Sequence, residues 1–357
     1  MMERKEIISA YQKAIENNNY FEKETPFRKR VKIFLYYIVI ILLNDYRPYN
    51  CQRVHVINGK MELKFIKSEE YRPIYYGIFK ENSLCGVRRT YTFVSNNKKI
   101  ERIKLLLKAI RSYNRAYGGN LAYWIDFCFL NNFILSSGVK ILLSNGHYDR
   151  LTSASSFLCE TYGIQFYIQQ HGLIGWKQDI PCKIYCDKLY AYDKLEIEKF
   201  KEKVIGNKNC IYRKRNINNV IFLKSPKTGF TIGVIEQPLK EMRDIIEIIL
   251  ESNPTGRIIV MLHPLSRIEV YKEFTGNKNI EFLHDKREWN LDIMVSSPST
   301  LAYEYLQNGF QMPVFFVDIN CIMEDFKGRY DNLIYIDNLQ LLRKELRKIS
   351  EAKITDR

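Results

Sequence analysis

Between residues 139 and 318, short apolar runs alternate with amphipathic stretches, and that alternation leaves few architectures open. "VKILLSN" (139–145) is followed by "DRLTSASSFLCETYG" (149–163), then "IQFYIQQHG" (164–172) and "KLYAYD" (188–193), with the charged helix-like "KLEIEKFKEKVIG" behind it. A second series runs "FTIGVI" (230–235), "LKEMRDIIEIILESN" (239–253), "GRIIVMLHP" (256–264), a short helix "IEVYKEF", "IEFLH" (280–284), "LDIMVSS" (291–297), "TLAYEYLQNG" (300–309) and "PVFFVD" (313–318). Brief apolar runs bounded by turn residues suit strands covered on both faces, and the intervening segments carry apolar residues at helical spacing. Strand–helix–strand units of this kind predict parallel sheets with crossover helices.

Between the two series lies a polar, basic, turn-rich stretch, 206–228. It predicts an N-terminal domain over 1–212, a linker over 213–228, and a C-terminal domain over 229–357 closed by the helix "NLQLLRKELRKIS". A chain of 357 residues suits two such domains. The expected fold class is α/β: two Rossmann-like doubly wound domains facing a cleft. Ligands of such sheets bind beyond the carboxyl ends of the strands.

The first part of the chain is less regular. Residues 1–45 read as helix interrupted at Pro26; β-type runs follow at 53–57, 62–66, 74–79 and 90–95; an amphipathic helix covers 98–117 and ends at Gly118-Gly119. "IFLYYIVIILL" (33–43) is the longest apolar run, but eleven residues do not span a bilayer, which takes about twenty. It predicts a buried helix or strand of the first domain, or a monotopic membrane contact with Arg28, Lys29, Arg30 and Lys32 as a basic collar.

The net charge of +15 favours anionic partners: nucleic acid, anionic lipid or phosphorylated small molecules. Basic residues are spread along the chain and no nucleic-acid motif stands out, so nucleic acid is not the expected partner. The polar start of the chain predicts no secretory signal, and the eight scattered cysteines then read as free thiols of a reducing cytoplasm. Cys182 and Cys186 stand four apart with no second Cys or His pair nearby, which does not suit zinc. Neither a G-x-x-x-x-G-K-[ST] loop nor an Asp-x-Asp motif occurs, so neither a P-loop ATPase nor a metal-dependent transferase is expected, and no cofactor is called for.

Two places carry chemistry. His263 and Pro264 end an apolar strand, and Ser296, Ser297, Ser299 and Thr300 lie between the next strand and a helix. An imidazole, a row of hydroxyls and the free N–H groups of a helix amino end together suit a phosphate. Glu304, one turn into that helix, suits ribose hydroxyls. In the first domain "QQHGLIGW" (169–176) puts His171 at a strand's carboxyl end, with Gly172 allowing a tight loop; "SNGHYDR" (144–150) adds His147 and Asp149 on the same side. For a base that takes an acceptor's proton the candidates are His171, then Glu241, then Asp149; His147 and Gly172 are acceptor-side candidates. Arg267 and Lys183 are candidate neutralising charges.

"HPLSRIEVY" followed by "VSSPSTLAYEYL" resembles the His-Pro and Ser-Ser motifs of bacterial GT-B glycosyltransferases, with sialyltransferases and CDP-glycerol glycerophosphotransferases the nearest groups. "IEQPLKE" (235–241) is similar to a Gln-Pro-Leu stretch of one sialyltransferase group, and "QQHG" to the His-Gly loop of the glycerophosphotransferases. Where sialyltransferases commonly show an acidic pair before the glycine, this chain carries Gln170-His171, which favours a histidine base. The resemblance implies that His263, Ser296, Ser297 and Ser299 hold the phosphates of a CMP or CDP donor. It implies an inverting, metal-independent enzyme of capsule or lipopolysaccharide synthesis. Its donor is a nucleotide-activated sugar, sialic acid or a related nonulosonate. Its acceptor is a glycan or lipid-linked glycan at the inner face of the cytoplasmic membrane. The alternatives are a CDP-donor polyol-phosphate transferase, a UDP-sugar epimerase, and a non-enzymatic basic binding protein.

Overall fold

The computed structural model describes residues 26–43, 52–58, 72–76, 98–113, 121–146, 150–178, 180, 183–215, 222–225, 229–237, 241–252, 255–263, 266–284 and 287–355. The runs at 62–66 and 90–95, the Gly118-Gly119 pair, His147, Asp149, Pro264 and Cys182 lie outside them. The chain divides into two compact units. Unit 1 holds residues up to His171 and Asp179–Arg215; unit 2 holds Gly172–Gln178 and Asn216–Arg357.

Unit 1 is built on six parallel strands: β1 (Arg53–Asn58), β2 (Arg72–Tyr76), β3 (Ile141–Ser144), β4 (Gln165–Gln169), β5 (Lys188–Ala191) and β6 (Ile211–Lys214), in the order β2-β1-β3-β4-β5-β6. The described helices are α1 (Phe27–Leu43), α2 (Lys99–Ser112), α3 (Leu121–Ser137), α4 (Arg150–Tyr162) and α5 (Lys194–Lys203). α1 starts where the Pro26 carbonyl accepts from the Lys29 and Arg30 amides at 2.9 and 3.1 Å. Proline is tolerated there because the amide it lacks has no helical partner to lose. The "IFLYYIVIILL" run is helical, and only one side of it is covered: Tyr37 and Ile41 are buried, while Leu35, Val39 and Leu42 are exposed.

Two elements of unit 1 go beyond the sequence pattern. α3 has no polar face; twelve of its seventeen residues are buried, so the amphipathic period that announces a surface helix is missing. β6 lies inside the basic stretch read as a boundary. Its "IYRK" is an edge strand with mostly exposed side chains, so charge there costs nothing and hides the strand.

Unit 2 has β7 (Thr231–Ile235), α6 (Met242–Ser252), β8 (Arg257–Met261), a 3-10 turn (Ile268–Phe274), β9 (Ile280–Leu283), β10 (Ile293–Ser296), α7 (Thr300–Gln307), β11 (Val314–Val317), β12 (Leu333–Ile336) and α8 (Leu339–Thr355). All six strands are parallel, in the order β9-β8-β7-β10-β11-β12. Renumbered from β7, that is 3-2-1-4-5-6, the doubly wound Rossmann order, whose topological switch falls between β7 and β10. β7, β10 and β11 are buried along their whole length, as strands covered by helices on both faces must be. The core joins Ile232, Val234, Ile258, Val260, Val295 and Phe315 to Ile245, Ile246 and Ile249 of α6 and Leu342 and Leu346 of α8. Gly309 ends α7 at φ +84°, with the Phe310 amide returning to the Tyr305 carbonyl at 3.0 Å; a side chain there would strain the left-handed residue that stops the helix.

Candidate functional site

The turn after β10 carries the serine cluster, and its four hydroxyls have different surroundings. Ser296 closes the strand and donates its Oγ proton to the Ser297 carbonyl at 2.7 Å. Ser299 is the N-cap of α7: its Oγ accepts from the Leu301 amide at 3.1 Å, as a capping serine does. The same Oγ accepts from Gln237 Nε2 at 3.1 Å, which ties the end of β7 to the end of β10 across the switch point. Ser297 differs from both: it is 1% exposed, and its Oγ has no hydrogen-bond partner. A buried hydroxyl without a partner costs about 1–3 kcal/mol, so a native fold keeps one only where something else repays it. Thr300 is half-buried at the first position of α7, and Glu304 is buried one turn in.

α7 is held firmly behind this turn. Tyr305 packs on Phe222, Trp289 and Phe310 at ring separations of 4.5, 5.8 and 5.4 Å, and its hydroxyl donates to the Glu288 carbonyl. The Glu288 carboxylate accepts from the amides of Ser225, Trp289 and Asn290 and from the Ser225 hydroxyl, which fastens residues 222–225 to the unit. Those hydrogen bonds hold its pKa below the usual carboxylate value, although burial, the largest single influence, pushes the other way.

His263 follows β8, the strand beside β7. Its loop is set by a residue that the sequence pattern does not advertise, Glu236, directly after β7. The Glu236 carboxylate is 1% exposed and accepts from the His263 amide at 2.7 Å, the Ser266 hydroxyl at 2.8 Å and the Tyr271 hydroxyl at 2.7 Å. Three donors from one loop and its 3-10 turn thus converge on one carboxylate, the arrangement that makes a buried charge tolerable. Burial holds the His263 imidazole below the ordinary histidine range, the Glu236 charge opposes this, and the Arg287 guanidinium adds to it. Arg287 therefore brings positive charge to the His263 side of the unit. Arg267 is exposed at the head of the 3-10 turn, and Lys183 donates to the Glu202 carbonyl in unit 1, on the amino side of its sheet. Glu241 is half-buried just ahead of α6, its carbonyl accepting from the Ile245 amide at 3.0 Å.

In unit 1, His171 lies beyond β4 and Asn145 beyond the adjacent β3. His171 Nδ1 contacts the Asn145 carbonyl. A carbonyl only accepts, so Nδ1 carries the proton in this contact. Behind the histidine is a buried polar network. Gln170, fully buried, donates to Glu196 at 2.6 Å and accepts from the Tyr192 amide at 2.9 Å. Glu196 pairs with Lys199 at 2.8 Å, both side chains fully covered. The Tyr192 hydroxyl donates to the His171 carbonyl at 3.1 Å and accepts from Arg215 at 3.0 Å. None of these partners was legible beforehand except Gln170. At the carboxyl end of β3, Ser144 Oγ accepts from the Gly146 amide at 3.0 Å and bonds Thr152 at 3.1 Å.

Gly172, directly after His171, begins the segment Gly172–Gln178 that belongs to unit 2. There Lys177 pairs with Glu324 at 2.5 Å. A Cβ on Gly175 would stand 2.2 Å from the Ile322 carbonyl oxygen, so this position accepts glycine alone. The Ile322 turn is itself fixed by Asp318, which accepts from the Ile322 and Met323 amides at 3.1 and 2.7 Å and from the Tyr335 hydroxyl at 2.7 Å. Among the described residues no group of three or more His, Cys, Asp or Glu side chains is arranged to hold a metal ion.

No protein-family model matches the chain, and no curated protein matches it in sequence. Several solved structures are similar in fold. The wall teichoic acid polymerase TagF is 12% identical over 98% of this chain and 90% of its own, with a TM-score of 0.45. The UDP-GlcNAc 2-epimerase from Neisseria meningitidis, bound to UDP-GlcNAc, is 12% identical over 84% of this chain and 91% of its own, at 0.46. The lipopolysaccharide outer core galactosyltransferase WaaB is 11% identical over 84% and 91%, at 0.41. Each unit is built on a six-stranded parallel sheet, and the strand order of unit 2 is Rossmann-like.

Proposed function

We propose that the protein is an inverting, metal-independent glycosyltransferase whose second unit binds a cytidine nucleotide at the β7/β10 switch point. The favoured donor is a CMP-activated sialic acid or related nonulosonate, and the acceptor a hydroxyl of a capsule or lipopolysaccharide glycan. The observation that carries this reading is Ser297: a buried hydroxyl with no protein partner, in the turn before the amino end of α7. An eight-residue helix held by an aromatic cluster presents its positive dipole end at that turn.

In the proposed reaction His171 Nε2 takes the proton of the acceptor hydroxyl. The acceptor oxygen bonds to the anomeric carbon as the bond from that carbon to the donor phosphate breaks. The electron pair leaves on the phosphate, where Ser297, the α7 amides, His263 and Arg287 stabilise it. Glu304 is then placed for the ribose hydroxyls. The Nδ1–Asn145 contact supports this assignment, since a carbonyl there favours a proton on Nδ1. A second reading moves polyol phosphate from a CDP donor; the histidine in "QQHG" favours it, and assays with the two donor types separate it from the first.

Calorimetric titration with CMP, CDP, UDP and GDP tests the site. Cytidine nucleotides are expected to bind and the others weakly or not at all. His263 is held below the ordinary histidine range, so the free protein carries it neutral at pH 7. A phosphate beside it favours the imidazolium, so binding takes up a proton. Affinity is therefore expected to rise as pH falls toward and through about 6.5, and to lose that slope in His263→Ala. Absence of any nucleotide response contradicts the proposal.

A further inference from the structure

We infer that α1 and α2 of unit 1 form a surface that lies against an anionic lipid bilayer. The inference rests on neither the nucleotide nor the reaction. α1 is docked on one side only. Tyr37 stacks on Phe129 of α3 at 6.3 Å and donates to Asp126, and Ile41 is buried with it. A helix docked in this way ordinarily turns polar residues to water. α1 instead turns out Val31, Leu35, Val39 and Leu42, exposed by 47, 54, 42 and 52%, with Phe27 at 72% ahead of them. From Ile33 to Leu43 it carries no charged residue with which to build a polar face. The apolar stripe from Val31 to Leu42 runs about 17 Å.

α2 packs antiparallel to it. Lys99 Nζ donates to the Leu42 carbonyl at 2.9 Å at one end, and Arg30 lies over the Tyr113 ring at 5.4 Å at the other. α2 adds exposed Ile100 and Leu107. Over 27–43 and 98–113 there are ten basic residues, of which Arg102 is buried, against one acid, Glu101. Apolar side chains ringed by lysine and arginine match the interface of a bilayer with anionic headgroups. The same charge argues against a second copy of the chain, since a two-fold interface would set one basic patch against another. No helix among the described residues is long and apolar enough to cross a membrane. The contact is in-plane.

Flotation of the full chain with vesicles tests this. The protein is expected to float with phosphatidylcholine–phosphatidylglycerol vesicles and to stay behind with phosphatidylcholine alone. Leu35→Asp combined with Val39→Asp is expected to cut binding at least about tenfold at an unchanged melting temperature, since both side chains already face water. Lys29→Ala with Lys32→Ala probes the charge separately, with about fivefold lost per lysine, and decides the matter if the first variant does not fold. Failure of the wild-type chain to bind anionic vesicles overturns the inference. So does full binding by a folded aspartate variant, or an aspartate variant that loses only self-association or a protein partner.

Discussion

His171→Asn is expected to lower the transfer rate by about 10²–10⁴-fold while leaving nucleotide affinity within about twofold. The split follows from where the residue stands. His171 follows β4 of unit 1, and the nucleotide is assigned to residues of unit 2. Its Nδ1 contacts the Asn145 carbonyl and its main-chain carbonyl accepts from the Tyr192 hydroxyl, which holds the residue in place; Nε2 is the atom assigned as base. Asparagine keeps a polar group of similar reach but has no basic lone pair at neutral pH. Steady-state kinetics with a calorimetric measurement of nucleotide binding reads both halves of the expectation. An equal loss in both would make His171 a binding or folding residue and return the role of base to Glu241 or Asp149.

Glu236→Leu is expected to destabilise unit 2 by about 2–4 kcal/mol and to weaken nucleotide binding by at least about tenfold. The substitution removes an acceptor and leaves the His263 amide and the hydroxyls of Ser266 and Tyr271 facing an apolar group. Burial and hydrogen bonding to Glu236 push the Tyr271 hydroxyl well above the usual tyrosine range, so it stays a proton donor across the accessible pH range. With the carboxylate gone, the loop is free to take other conformations, and His263 loses its aim along with the charge that counters its desolvation. Urea unfolding and calorimetry at one pH measure the two effects. Glu236→Gln is the informative companion: the size is kept, but its amide nitrogen faces donors, so stability is expected to fall between the two.

Much of the fold is legible in the sequence because its strands are short, apolar and separated by helices with a clear polar side. β7, β8, β10 and β11 all coincide with such runs, and glycines mark the ends of α4 and α7 with positive φ at Gly163 and Gly309. The elements that escape do so for opposite reasons. α3 is too apolar to show a period, whereas the edge strand β6 is too charged to look like a strand. β12, "LIYI", is four residues between turns and carries too few positions for a pattern. The sequence also locates the carboxyl ends where His171, His263 and Ser297 stand, since that follows from strand order alone. It does not reveal that Glu236 clamps the His263 loop or that Tyr192 and Arg215 buttress His171. Those contacts join residues 21 to 45 positions apart, and no local spacing encodes them. The four hydroxyls of the serine cluster look alike in the sequence, and only packing separates the cap, Ser299, from the partnerless Ser297.

The most direct measurement is a crystal structure of the chain soaked with CDP. The account predicts phosphate density within hydrogen-bond distance of Ser297 Oγ and the first amides of α7, with the His263 ring turned toward it. Well-ordered nucleotide density elsewhere, with the β7/β10 switch point filled only by water, would contradict it.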